Sequence, residues 1–176
     1  MPKPPRGPKP PPGPREPEYV SMSGHARLVD ELTRLRSVDR PRIVEEVAAA
    51  AAQGDRSENA EYIYGKKKLR EIDRRMGFLE RRLSALVPLH VDAPRGTEKA
   101  YFGAWVTLEG EDGEEESYRI LGVDEVDAGR GIISYKSPLG RSLLGKAEGD
   151  TVTVMSPRGR RELTLLAVAY GPARDR

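Results

Sequence analysis

The chain has 176 residues, 37% of them hydrophobic and 33% charged, with a mean hydropathy of −0.63, so much of it must be solvated surface or an elongated element with little interior. Thirty basic residues against 28 acidic leave a net charge of only +2, and any role with nucleic acid must therefore rest on where the charges cluster. The lack of cysteine excludes a disulfide framework, thiolate zinc sites and cysteine catalysis, and with His25 and His90 as the only histidines a histidine-rich metal site is excluded too.

Residues 1–18 hold nine of the fifteen prolines, interleaved with Lys3, Arg6, Lys9 and Arg15. That composition predicts a disordered basic tail of polyproline II character, with a docking motif for a partner or a weak anchor to nucleic acid as the other reading. No apolar run follows the basic N-terminus and none is long enough to span a bilayer, so neither a signal peptide nor a membrane segment is expected and the cytoplasm is the expected location.

From Ser23 the texture turns helical, with Ser21 or Ser23 available as the N-cap and Leu28, Leu32 and Leu35 spaced four and three apart. Pro41 interrupts the run, and Ile43, Val47 and Ala50 resume it. Leu35 to Ile43 is eight residues where a heptad has seven, so a kink or local rewinding is predicted at the proline. A second helix, from Asn59 to Leu86, carries Leu69, Ile72, Met76, Leu79, Leu83 and Leu86 at alternating spacings of three and four. Two such helices joined by a short turn predict an antiparallel coiled-coil hairpin over residues 19–87, a projecting rod that buries one stripe. A hairpin that pairs its own seam predicts a monomer.

Pro88 and Pro94 bracket a linker over residues 88–98. Strand patterns follow at residues 101–109, 118–123, 132–135, 150–155 and 162–170, with Asp112-Gly113 as a hairpin signal and a short helix at residues 141–145. The fold class is α+β: the hairpin, then a small, mostly antiparallel sheet domain over residues 99–171, and a short tail over residues 172–176.

The turn between the long helices reads GDRSENAEY, residues 54–62, and places Asp55 and Glu58 at the exposed end of the rod. One reading is a capping box, with Asp55 accepting backbone N–H groups and Glu58 favoured by the helix dipole. The other is that two carboxylates at a tip share a Mg²⁺ with phosphates held elsewhere. The two readings are compatible. Behind the turn the second helix has eight basic residues against four acidic, a net of +4, whereas the first helix is balanced. This is either a solvated face of i,i+4 pairs or a track for a nucleic-acid strand, on which Tyr62 and Tyr64 are available to stack. Six carboxylates between Glu109 and Glu116 read as a solvated hairpin tip.

With its helical hairpin, the GDRSENAEY turn, the KKKLREIDRR that follows, and FGAWV and SPLGRSLLGKAEGD in the sheet domain, the sequence resembles the Gre transcript cleavage factors, and within them the GreB-like branch. The resemblance spans about residues 19–170. It implies a coiled coil that enters the secondary channel of bacterial RNA polymerase and a sheet domain of FKBP-like fold that docks at the channel rim. It implies that Asp55 and Glu58 help hold the second Mg²⁺ of the polymerase active site and orient the attacking water when a backtracked transcript occupies it. Lys66, Lys67 and Arg70 would hold the extruded RNA 3′ segment, and the loop with Ser137, Pro138 and Leu139 would contact the polymerase. The chain would then be a catalytic accessory and not a nuclease in its own right. The same loop departs from the branch in carrying Lys136 where Asp is frequent, which together with the unmatched proline-rich tail suggests as an alternative a regulator that occupies the channel without promoting cleavage. A prolyl isomerase, suggested by the FKBP-like sheet alone, is a third reading, since fold does not imply activity.

Overall fold

The computed structural model describes residues 17–52, 59–93, 96–156 and 159–172. Strand β1 (Glu18–Ser21) leads into helix α1 (Met22–Arg34), and a π-helical turn at Leu35–Asp39 connects it to α2 (Arg40–Ala52). Helix α3 (Ala60–Ala85) returns alongside and ends in strand β2 (Leu86–Leu89). Of the two candidate caps, Ser21 is the one used, its hydroxyl accepting from the Gly24 N–H at 2.9 Å.

The π turn is the physical form of the eight-residue step. Pro41 has no N–H to give to the carbonyl four residues back, and the helix widens just before it, with the Arg40 N–H reaching five residues back to the Leu35 carbonyl. One residue is thereby inserted, and the apolar stripe continues at Ile43, which is fully buried, while Val38 within the turn is 56% exposed. On α3 the seam falls as its spacing requires: Ile72, Leu79 and Leu86 are buried and Leu69, Met76 and Leu83 half-buried. Nearer the turn, a Cβ on the buried Gly65 would stand 2.5 Å from Val47 Cγ2, so glycine there and the alanines of α2 let the two helices approach closely.

The helix expected to run to Leu86 stops at Ala85, because Leu86–Leu89 pairs in parallel with Glu18–Ser21. This two-stranded clamp joins the chain entering the hairpin to the chain leaving it. The second sheet has the order β5-β4-β3-β7-β6, with β3 (Trp105–Gly110), β4 (Glu115–Leu121), β5 (Ile132–Ser134), β6 (Thr151–Ser156) and β7 (Gly159–Ala169). Four of its strands pair antiparallel as expected, but β5 lies parallel to β4. Residues 122–131 form no hairpin; two 3₁₀ turns, Val123–Glu125 and Ala128–Arg130, carry the chain back to the same end of the sheet. The acidic β3–β4 connection is a solvated tip, its turn made by Gly113 at φ +76°.

One face of the sheet is closed by Leu143 of helix α4 (Pro138–Leu143), which packs with Val106, Leu108, Ile120 and Leu165. That helix begins three residues before its expected start, because Ser137 caps it and Pro138 occupies the first helical position with φ already set. Among the described residues, no helix is long and apolar enough to cross a membrane.

The inserted residue separates two neighbouring side chains energetically. Ile43→Ala should cost about 3 kcal/mol by emptying a closed site, whereas Val38→Ala should cost under about 0.5 kcal/mol, both read as shifts in a chemical denaturation midpoint.

Candidate functional site

The connection between α2 and α3 holds the two carboxylates singled out by sequence, and Asp55 and Glu58 both lie outside the described residues. Its flanks are well defined. Helix α3 is capped by Asn59, whose Oδ1 accepts from the Tyr62 N–H at 3.1 Å while its Nδ2 donates to the Ala50 carbonyl of α2 at 2.8 Å. Asn59 therefore starts one helix and ties it to the end of the other. The capping-box reading of Asp55 and Glu58 lies outside the described residues; within them the cap of α3 is Asn59 and the first-turn acid is Glu61. The sequence signal for this cap is an Asn followed by a clean helical run.

The basic residues of the rod divide by partner. Arg75 makes a bidentate pair with Glu31 of α1 at 2.7 and 2.8 Å, and Arg40 pairs with Asp73 at 2.8 Å. The hydrogen bonds from Arg75 hold the Glu31 carboxyl below its ordinary range and raise Arg75 in turn. Exposed pairs of this kind contribute about 1 kcal/mol or less apiece. They also remove those cations from any track for a polyanion. Lys67, Arg70 and Arg74 are exposed and make no ion pair with a described residue, while Lys66 stands 5.2 Å from the half-buried Tyr62 ring and Lys68 stands 6.0 Å from the exposed Tyr64 ring. Of the three residues expected to bind RNA, Lys67 and Arg70 are thus unpaired among the described residues and Lys66 is engaged with an aromatic face, all three on one stretch of α3 about 10 to 16 Å beyond Asn59.

The second candidate region, Ser137, Pro138 and Leu139, lies on the sheet domain. Ser137 is committed to structure, its hydroxyl donating to the Ser134 carbonyl at 2.7 Å and accepting from the Gly140 N–H at 3.0 Å. Leu139 is half-buried against the core and Pro138 is exposed. Beside them opens a cavity of about 490 Å³ lined by Pro17, Tyr19, Tyr135, Lys136, Arg141 and Leu144. Lys136 does not project as an unpaired cation: its Nζ donates to Glu18 Oε1 at 2.7 Å. The Glu18 carboxyl is held below its ordinary range by Lys136 and then by Arg82, and Lys136 is raised in return.

The same pair leads to a cluster that sequence reasoning missed. Arg82, in the last turn of α3, forks between Glu18 and Asp124, meeting both oxygens of Asp124 from Nε at 2.9 Å. Glu125 is buried and accepts from the Ser21 N–H at 2.9 Å, from the Ser21 hydroxyl and from the Gly122 N–H at 3.1 Å. Tyr19, Phe102 and Tyr135 pack ring against ring beside it. No spacing signal marks these residues, because Ser21 and Glu125 are 104 positions apart.

Among the described residues, no group of three or more His, Cys, Asp or Glu side chains is arranged to hold a metal. The donor set expected for Mg²⁺, two carboxylates from Asp55 and Glu58, matches the hard-oxygen preference of that ion but falls short of a full coordination sphere, and fits a site completed by another molecule.

Two family models match the chain: residues 18–87 match "Transcription elongation factor, N-terminal" and residues 95–170 match "Transcription elongation factor, GreA/GreB, C-term". The chain is 49% identical over 154 residues to transcription elongation factor GreB of Pseudomonas aeruginosa, covering 88% of this chain and 91% of that protein. It is 45% identical over 152 residues to transcription elongation factor GreB of Neisseria meningitidis serogroup B, covering 86% and 93%. Among solved structures it is similar to the GreA factor homolog 1 (Gfh1) protein of Thermus thermophilus, at 25% identity and a TM-score of 0.40, over 87% of this chain and 99% of that one.

The Lys136–Glu18 pair should be legible in the pH dependence of stability. A carboxylate whose folded pKa is depressed contributes stability above its unfolded value, near 4.5, and loses it as pH falls through the folded value. Lys136→Met should therefore lower the melting temperature at neutral pH, and the gap to wild type should close as pH falls below 4.5. A gap that persists unchanged in acid would show that packing, not charge, carries the effect.

Proposed function

Because this chain belongs to the GreA/GreB family of transcription elongation factors, we propose that it acts as an accessory of RNA polymerase, entering the secondary channel and stimulating cleavage of the 3′ end of backtracked RNA. The observation that carries the reading is the rod itself: a narrow helical hairpin with Asp55 and Glu58 in the connection at its far end and, immediately behind, Lys67 and Arg70, exposed and without an ion pair among the described residues.

The roles follow from chemistry. Asp55 and Glu58 supply carboxylates that a polymerase active site lacks for its second metal position, and they accept a hydrogen bond from the attacking water, holding it in line with the scissile phosphate. A second Mg²⁺, when bound there, supplies Lewis acidity to the reacting oxygens. Lys67 and Arg70, with Lys66, hold the extruded RNA by its phosphates, a contact that needs unpaired cations and no base recognition. The polymerase contributes the reacting site and this chain completes it, so it is not an enzyme alone.

The sheet domain, residues 99–171, is the docking module in this reading and adopts an FKBP-like fold. Its contact surface is the exposed Pro138 and the ledge around Ser137 and Leu139. The charge at Lys136 that suggested a regulator without cleavage is taken up within the chain by Glu18, so that alternative loses one of the two features that favoured it. The factor acts as a monomer, its seam being filled by its own two helices.

Backtracked complexes of the cognate polymerase, supplied with Mg²⁺ and resolved by RNA length, test the assignment. Asp55→Asn with Glu58→Gln should reduce stimulated cleavage about 100-fold or more while leaving polymerase affinity within about twofold. Cleavage by the double variant at the wild-type rate would overturn the role of the tip.

A further inference from the structure

We propose that the polar cluster where the hairpin meets the sheet domain is a positioning clasp: Arg82 with Glu18 and Asp124, together with Ser21 and Glu125, fixes the angle of the rod to the docking domain and thereby places the distant tip. The proposal rests on the cleavage-factor reading for its consequence, but its geometry stands on the structure alone.

The rod is a lever. Helix α3 is about 39 Å long, and a tilt of about 5° at its base moves the far end by roughly 3 Å. Catalytic groups tolerate far less, since a misplacement of about 1 Å can cost 100-fold in rate. A rod anchored through a separate domain therefore needs a base that permits one angle.

Two independent features supply it. Arg82 at the end of α3 reaches one carboxylate on the strand that enters the hairpin, Glu18, and another on the sheet domain, Asp124; three segments distant in sequence are held by a single planar guanidinium. On the other side Glu125, with 1% of its side chain exposed, takes both the N–H and the hydroxyl of Ser21, the residue that caps α1. The same carboxylate accepts from the Gly122 N–H at 3.1 Å and lies 3.9 Å from Arg27 of α1, so shifting the rod would strip a buried group of donors that come from both sides of the joint. The fit is tight as well. A Cβ on Gly24, one turn into α1, would overlap Glu125 Oε1, and one on Gly122 would stand 2.6 Å from the Tyr19 carbonyl oxygen. The angle is thus set by charge and also by the absence of two methyl groups.

Two variants open the clasp by different routes. Arg82→Gln removes the fork. Gly24→Ala adds one methyl against Glu125 while making α1 itself a better helix, so any loss cannot come from a weaker helix. The chain contains no cysteine, and Ala48→Cys on the rod with Glu148→Cys on the sheet domain provides two exposed sites for spin labels in the full-length protein. The distance distribution between them should be narrow in the otherwise unchanged chain, and broadened or displaced by several ångströms in both variants. In backtracked complexes, the cleavage rate at saturating factor should fall about tenfold or more, with the half-saturating concentration within about twofold. An unchanged distribution in both variants, or a displaced rod that still cleaves at the wild-type maximal rate, would overturn the proposal. If the unchanged chain failed to stimulate cleavage at all, the functional reading would fall, and the distance distribution would still decide whether the clasp sets the angle.

Discussion

A two-helix rod buries a single stripe, and the direction in which it points depends on the contacts at its base. Among the described residues the rod itself buries no charged side chain, whereas its base buries Ser21 and Glu125. The pairs along the rod, such as Arg75 with Glu31, are half-exposed and contribute about 1 kcal/mol or less. Glu125 is enclosed, and leaving a buried charge without its donors costs on the order of 3 to 5 kcal/mol. The parallel pairing of β1 with β2 adds a backbone clamp at the same level, so that chain entry, chain exit and sheet domain are held within one polar and aromatic layer. Everything further along the rod inherits its position from that layer.

The charges of the molecule divide accordingly. A chain with a net charge of +2 shows nothing of its electrostatics in the total. Once partners are assigned, Arg40, Arg75, Arg82 and Lys136 prove to be structural cations, satisfied by Asp73, Glu31, Glu18 and Asp124. On α3, Lys66, Lys67, Lys68, Arg70, Arg74 and Arg81 make no ion pair with a described residue, and all but Arg74 and Arg81 lie in the half of the helix nearer the connection that bears Asp55 and Glu58. The face suited to a polyanion is what the ion pairs leave over. Lys136 illustrates the converse, since a residue that looks like a charge reversal at a docking loop is neutralised from within by a carboxylate 118 positions away.

The parts of this architecture that repeat locally were legible in the sequence, and those that close over long distances were not. The three-four spacing of Leu69 through Leu86 marks the seam of α3, and the eight-residue step from Leu35 to Ile43 marks the rewinding at Pro41, which the structure resolves as a π turn. Alternation marks the strands of the larger sheet. In contrast, β1 and β2 are four residues each, too short for a pattern, and β2 contains Pro88. The parallel placement of β5 depends on a crossover, and the second bond of Asn59 reaches across to Ala50 on the other helix. Of the candidate site, the basic track was visible as composition but its division into paired and unpaired cations was not. The clasp gave no signal, since Ser21, Arg82 and Glu125 acquire their meaning only when the chain brings them together.

The proposed role of Asp55 and Glu58 is to lend carboxylates to a polymerase site that holds its second metal ion weakly. The most direct measurement is the rate of RNA 3′-end cleavage in backtracked complexes as Mg²⁺ is varied, with and without the factor. If Asp55 and Glu58 complete the ion's coordination, the factor lowers the Mg²⁺ concentration giving half-maximal cleavage by about tenfold, equivalent to about 1.4 kcal/mol of added ion affinity. An unchanged half-maximal Mg²⁺ concentration, whatever happens to the maximal rate, would contradict it.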